Sequence, residues 1–171
     1  MATAAGNGAL EMVAGAFRAS AHIYGQMGSP LYAELCTQGA SDAVVLALAD
    51  NGMEGAKPSH LFSAVHYLLL KDPADPLARY FATLTDDPLP AEGAYPELAR
   101  FARQHGDELT RLLRTRTVQT TYAERCRALL PAMCAVAREA GEPLNLVEIG
   151  CSAGVLLVFD AFAYRYNGGP V

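Results

Sequence analysis

A chain of 171 residues, 51% of them apolar, with a net charge of −5 and a pI near 5.3 is long enough to form a real core, since domains of this size bury roughly 70% of their unfolded surface. The acidic balance argues against a general nucleic-acid binder, which presents a basic face, and the modest charge argues against disorder. No run approaches the ~20 apolar residues of a membrane-spanning helix, and the opening MATAAGNGAL lacks the basic start and apolar stretch of a secretory signal.

Apolar residues from Leu10 to Tyr24 predict a first helix, preceded by a loose leader of small residues and ended near Gly25 and Gly28. Ser29-Pro30 has the composition of an N-cap and first turn, opening a helix that passes Cys36 and stops at Gly39. Ser41-Asp42 opens another, which runs to Asp50 and is halted by Asn51-Gly52. The strongest amphipathic pattern covers Ser59 to Leu70. Leu61, Phe62, Val65, Leu68 and Leu69 fall at i, i+1, i+4, i+7 and i+8, one apolar stripe facing a core. His66 and Tyr67 sit beside that stripe, where core-edge packing is the common role of such residues.

Pro73, Pro76, Pro88, Pro90 and Pro96 then punctuate residues 72–97, with six acids against the single base Arg79. This composition predicts a solvated connector with a short helix from Leu77 to Leu84. Between Arg100 and Arg127 the sign reverses, with seven arginines against Asp107, Glu108 and Glu124. Helices are expected from Tyr95 to His105 and from Asp107 to Arg114. The run Arg114 to Thr120, rich in β-branched residues and hydroxyls, reads as an extended link. Its guanidinium and amide donors suit an anion or a neighbouring domain, though pairing with the acidic connector or plain solvation also accounts for them. A last helix, Tyr122 to Ala140, carries Pro131, which predicts a kink, and Gly141 ends it.

The four cysteines, at 36, 126, 134 and 151, include no CxxC pair. They read as reduced thiols of a cytoplasmic protein, serving as small buried hydrophobes. His22, His60, His66 and His105 show no ligand spacing, and no metal is expected.

One segment has a chemical signature. Leu144 to Ile149 is a short apolar strand candidate, Gly150-Cys151-Ser152-Ala153-Gly154 follows, and Val155 to Phe162 returns to helical character. Strand, glycine turn and helix form the layout of a nucleotide-binding βα unit. Gly150 allows a sharp turn and close ligand approach, and Gly154 allows close packing. The first helix amides, from Ala153 to Val155, favour a carboxylate or another anion. Glu148 at the strand's end can accept a hydrogen bond from a ligand ammonium. A purely structural strand–turn–helix is the competing reading.

The run LVEIGCSAG resembles the first motif of class I S-adenosylmethionine methyltransferases, E/D-x-G-x-x-x-G. It fits the dinucleotide G-x-G-x-x-G less well, because Ser152 stands at the second glycine. Three segments together resemble a bacterial family known only as domain of unknown function 2332. They are Leu61 to Leu70, Arg114 to Thr120, and Glu148 to Gly154 running on to Phe159-Asp160 and Tyr164-Arg165-Tyr166. The resemblance names relatives rather than a reaction, and it implies a methyltransferase-like α/β half beyond this chain. One departure is that Thr121-Tyr122, not Asn-Glu, follows Gln119-Thr120.

The expectation is therefore a mostly α chain: a helical domain over 1–140, then over 141–171 the first βα unit of a Rossmann-like methyltransferase fold, truncated. Glu148, Gly150, Ser152, Ala153 and Gly154 are the cofactor-binding candidates, and no catalytic residue is assigned. S-adenosylmethionine would belong to the full-length protein and is not expected on this chain, which is read as an inactive fragment with an unreadable methyl acceptor. The alternative is a non-catalytic helical interaction module that docks a partner or a second copy as a homodimer. A small RNA or phosphate-ligand binder using the arginines ranks last, given the acidic total.

Overall fold

The structure is a computed structural model that describes residues 4–53, 57–118, 122–166 and 169–170. It is mostly helical, and its chain contacts divide it into two compact units, residues 1–118 and 119–171. The division falls ahead of the long helix that the sequence pattern groups with the first domain.

Among the described residues the first unit holds six α-helices: α1 (Ala4–Gln26), α2 (Pro30–Gly39), α3 (Ala43–Ala49), α4 (Pro58–Lys71), α5 (Ala94–Gln104) and α6 (Gly106–Thr115). Residues expected as a loose leader are thus already helical from Ala4. Pro30 occupies the first turn of α2, although the Ser29 side chain makes no capping bond. Asp42 does cap α3: its Oδ1 accepts the N–H of Val44 at 2.9 Å and of Val45 at 3.3 Å, satisfying two donors that helix geometry leaves open.

The apolar stripe of α4 is the centre of the core. Leu61, Val65 and Leu69 are wholly buried, and Phe62 and Leu68 nearly so. Burying each such side chain contributes about 1.5–3 kcal/mol. Phe17 of α1 meets Phe62 edge-on, with centroids 6.1 Å apart at 77°, a favoured aromatic geometry. Leu35 from α2, Val45 from α3, Leu98 and Phe101 from α5, and Leu109 and Leu113 from α6 complete the cluster.

The proline-punctuated stretch is more than a solvated connector. A 3-10 helix spans Pro76–Tyr80, where a longer helix to Leu84 was expected. Leu77, Ala78 and Phe81 join the core, and Asp75 is itself buried. Proline at the first turn suits a tight 3-10 turn, whose residues pack without a 3.6-residue period.

The second unit begins with α7 (Arg125–Ala140), which continues as one helix through Pro131 and ends on Gly141 in the left-handed conformation, φ 66°. Beyond it lie a 3-10 helix over Val155–Ala161, broken in its geometry at Val158, and a minimal antiparallel pair, β1 (Arg165–Tyr166) with β2 (Gly169–Pro170). Residues 144–149 form no strand, so the expected βα unit is not formed among the described residues. The physical reason is the missing ladder: a strand holds only when a neighbour pairs its backbone groups.

Candidate functional site

Three backbone reversals define the turn after Ile149. Gly150, Ser152 and Gly154 all adopt positive φ, at 76°, 51° and 72°. Glycine reaches this region freely, but for serine it costs about 1–2 kcal/mol. A Cβ on Gly150 would meet nothing within 4 Å, so the space beside the turn is open. Ala153 lies exposed between the last two reversals.

Glu148, immediately before the turn, is half-buried, and its Oε2 is shielded from solvent without a hydrogen-bond partner. A buried acceptor in that state is costly, and a ligand ammonium is one group that relieves it. The flanking residues behave in the opposite way: Val147 is 83% exposed and Ile149 97%. The helix amides expected to greet an anion differ from the sequence reading. Gly154 N–H is already spent on the Cys151 carbonyl at 2.8 Å, and the helix that begins at Val155 is a short 3-10 helix. The turn therefore brings Glu148 and open glycine backbone together, but it supplies no row of α-helical N–H groups.

The arginines find separate partners. In the first unit, Arg100 binds Asp75 at 2.6 Å and Glu97 at 2.8 Å, and Arg103 binds Asp42 at 3.1 Å. Arg111 pairs with Glu108 at 3.6 Å, and Arg114 donates twice to Asn51 Oδ1. Arg116 carries no ion pair among the described residues. Gln119 and Thr120 of the middle motif lie outside the described residues. In the second unit, Arg125 lies over the Tyr122 ring, and the Arg127 carbonyl accepts the Tyr166 hydroxyl.

His66 bonds Thr83 Oγ1 through Nε2 at 2.7 Å, and burial holds its pKa below the ordinary value. Among the described residues no group of His, Cys, Asp or Glu could hold a metal ion. The four cysteines are free thiols, and burial pushes the Cys36 pKa up to about 12, which leaves it unreactive. Among the described residues no helix is long and apolar enough to cross a membrane.

The sequence reading gave His60 no role beyond its lack of ligand spacing. His60 is 3% exposed, and its Nε2 lies 2.9 Å from the carbonyl oxygen of Arg116. The available signal was a second line on α4: His60, Ser63 and Tyr67 recur at i, i+3 and i+7 beside the apolar stripe.

These features define a mostly helical protein with a small second unit organised around a glycine turn. The chain belongs to the bacterial family described as "Uncharacterized protein conserved in bacteria (DUF2332)", whose model matches residues 14–171. No curated protein and no solved structure matches it.

Proposed function

We propose that residues 144–161 form one edge of an S-adenosylmethionine site in a methyltransferase-like protein, with the helical unit as its N-terminal partner. The observation that carries this reading is the Glu148 carboxylate, orphaned and half-buried, beside a turn reversed at Gly150, Ser152 and Gly154. Glu148 would hold the ligand's ammonium, and the open backbone at Gly150, with Ser152 and Ala153, would face its amino-acid end. S-adenosylmethionine supplies an electrophilic methyl group when bound.

Exposed apolar side chains support the same reading. Cys126 is the one fully buried apolar residue described in the second unit, whereas Leu144, Leu146, Val147 and Ile149 all face solvent. An apolar run of this kind suits the inner strand of a parallel sheet, covered on both faces. The further strands of a methyltransferase domain are the covering we assign. A second copy of the chain is the other reading, favoured by the same exposed run.

Isothermal titration of S-adenosylmethionine tests the proposal. The full-length gene product is expected to bind, and Glu148→Gln in it to weaken binding by about tenfold or more, the effect of losing one charge-assisted bond. The 171-residue chain alone is expected to show no micromolar binding and no methyl transfer. A full-length protein that ignores the cofactor, or whose E148Q variant binds it equally well, overturns the reading. A stable dimer of the chain by light scattering would then support the second copy.

A further inference from the structure

Two cavities flank α4 in the helical unit, and both share Ser63 and Tyr67 as wall. The first, about 350 Å³, is lined by His60, Leu112, Arg116 and Thr117 besides the shared pair. The second, about 450 Å³, is lined by Tyr32, Phe62, His66 and Thr83. Each falls within the ~300–1,000 Å³ of small-molecule sites, which combine apolar walls with a few converging polar groups.

Their chemistry differs by end. At the first, Arg116 has no carboxylate partner among the described residues, whereas Arg100, Arg103 and Arg111 each have one. The backbone of Arg116 is held in place: its carbonyl cannot donate, so His60 Nε2–H donates to it at 2.9 Å. That bond leaves His60 Nδ1 buried and without a partner in the cavity wall. Ser63 spends its proton on the Ser59 carbonyl at 2.8 Å and so offers lone pairs. At the second end the walls are aromatic. Tyr32 and Phe62 lie 5.6 Å apart, and Tyr32 continues to Phe81 at 6.2 Å. The exposed Tyr67 stands between the two ends.

We propose that the first of these cavities binds a small aromatic acid, its acid group on Arg116 and its ring against Tyr67, which also faces the aromatic second cavity. No residue of the glycine turn takes part. The site joins two segments that the sequence sets far apart, the α4 stripe and the run leaving α6. A guanidinium recognises carboxylate and phosphate alike by paired N–H bonds, so the shared chemistry is an oxyacid on a planar body.

Ligand-observed NMR and titration calorimetry on the 171-residue chain test this with 4-hydroxybenzoate, phenyl phosphate and phenol as probes. Binding of one or both acids is expected, with phenol at least about tenfold weaker, the worth of one charge-assisted contact. Tighter binding of 4-hydroxybenzoate identifies a carboxylate ligand, and tighter binding of phenyl phosphate a phosphate ester. Arg116→Gln is expected to lose about tenfold in affinity for the better acid, while Arg111→Gln, whose guanidinium pairs with Glu108 outside both cavities, keeps it. Arg116 is exposed, so its variant is expected to fold, which circular dichroism checks. No binding of either acid, phenol binding as tightly as the acids, or equal losses in the two variants would each overturn the proposal.

Discussion

Arg100 Nη2 donates to Asp75 Oδ1 at 2.6 Å, the same oxygen that accepts the backbone N–H of Leu77 at 2.8 Å. One carboxylate thus caps the 3-10 helix at Pro76 and anchors it to α5. Arg100 also reaches Glu97 through Nε and Gln104 through Nη1, so its guanidinium is fixed on three sides. Within the proline-rich stretch the Asp75 side chain is only 7% exposed, so Arg100 and the Leu77 amide stand where water would otherwise solvate it.

Removing the arginine should therefore be felt. Breaking a fully buried pair costs about 3–5 kcal/mol, but Arg100 is 37% exposed and water screens part of the interaction. Arg100→Ala is expected to lower stability by about 1–3 kcal/mol, read as a lower urea midpoint. A midpoint unchanged from the parent would show that Asp75 is solvated rather than paired.

The legibility of this molecule in its sequence follows the type of regularity involved. The stripe Leu61, Phe62, Val65, Leu68 and Leu69 predicts a core helix, and all five are buried. The 3.6-residue period is written in the residues themselves, so α4 needs no partner to be recognised. Leu77, Ala78 and Phe81 lack that period, because a 3-10 turn packs side chains that no α-helical template connects. Their proline-rich surroundings imitate a connector. Residues 144–149 fail for a third reason: their apolar composition describes a strand, but a strand is a pairing, and no partner for them lies among the described residues. In the candidate site, the positive φ of Gly150 and Gly154 accords with the sharp turn expected there. The reversal at Ser152 and the spent Gly154 amide are products of local geometry that residue types alone do not announce.

Two glycines in neighbouring helices should respond with opposite signs. A Cβ on Gly39 would stand 2.9 Å from Cε1 and 3.1 Å from Cδ1 of Phe17. That ring is wholly buried and edge-on to Phe62, so it has nowhere to move. Overpacking of this kind costs about 1–3 kcal/mol, against about 1 kcal/mol gained from alanine's helix propensity. Gly15 lies within α1 and a Cβ there meets nothing within 4 Å. Gly39→Ala is expected to lower the thermal midpoint, and Gly15→Ala to raise stability by about 0.5–1 kcal/mol. A stabilised G39A variant would show that α1 and α2 are less closely packed than the Phe17 contact implies.

His66 sets the pH dependence of the helical unit near neutrality. Burial against Phe81, with ring centroids 5.5 Å apart, disfavours the imidazolium and holds the folded pKa below the ordinary 6.5. Above 6.5 the ring is neutral in both states and contributes no slope. As pH falls through 6.5 toward the lower folded value, the unfolded chain binds the proton first, so stability is lost on acidification. Asp42 titrates in a different window. Burial raises its pKa, but the neighbouring Tyr95 hydroxyl (close, though short of a well-formed hydrogen bond), the Val45 and Val44 amides and Arg103 outweigh that and hold it below 3.8. Its contribution is present above 3.8 and is lost as pH falls through the folded value, so it does not blur the His66 step. The urea midpoint is therefore expected to decline as pH falls through 6.5, and His66→Gln, which retains a hydrogen-bonding group for Thr83, is expected to flatten that decline. A variant that keeps the full slope would assign the effect to another titrating group.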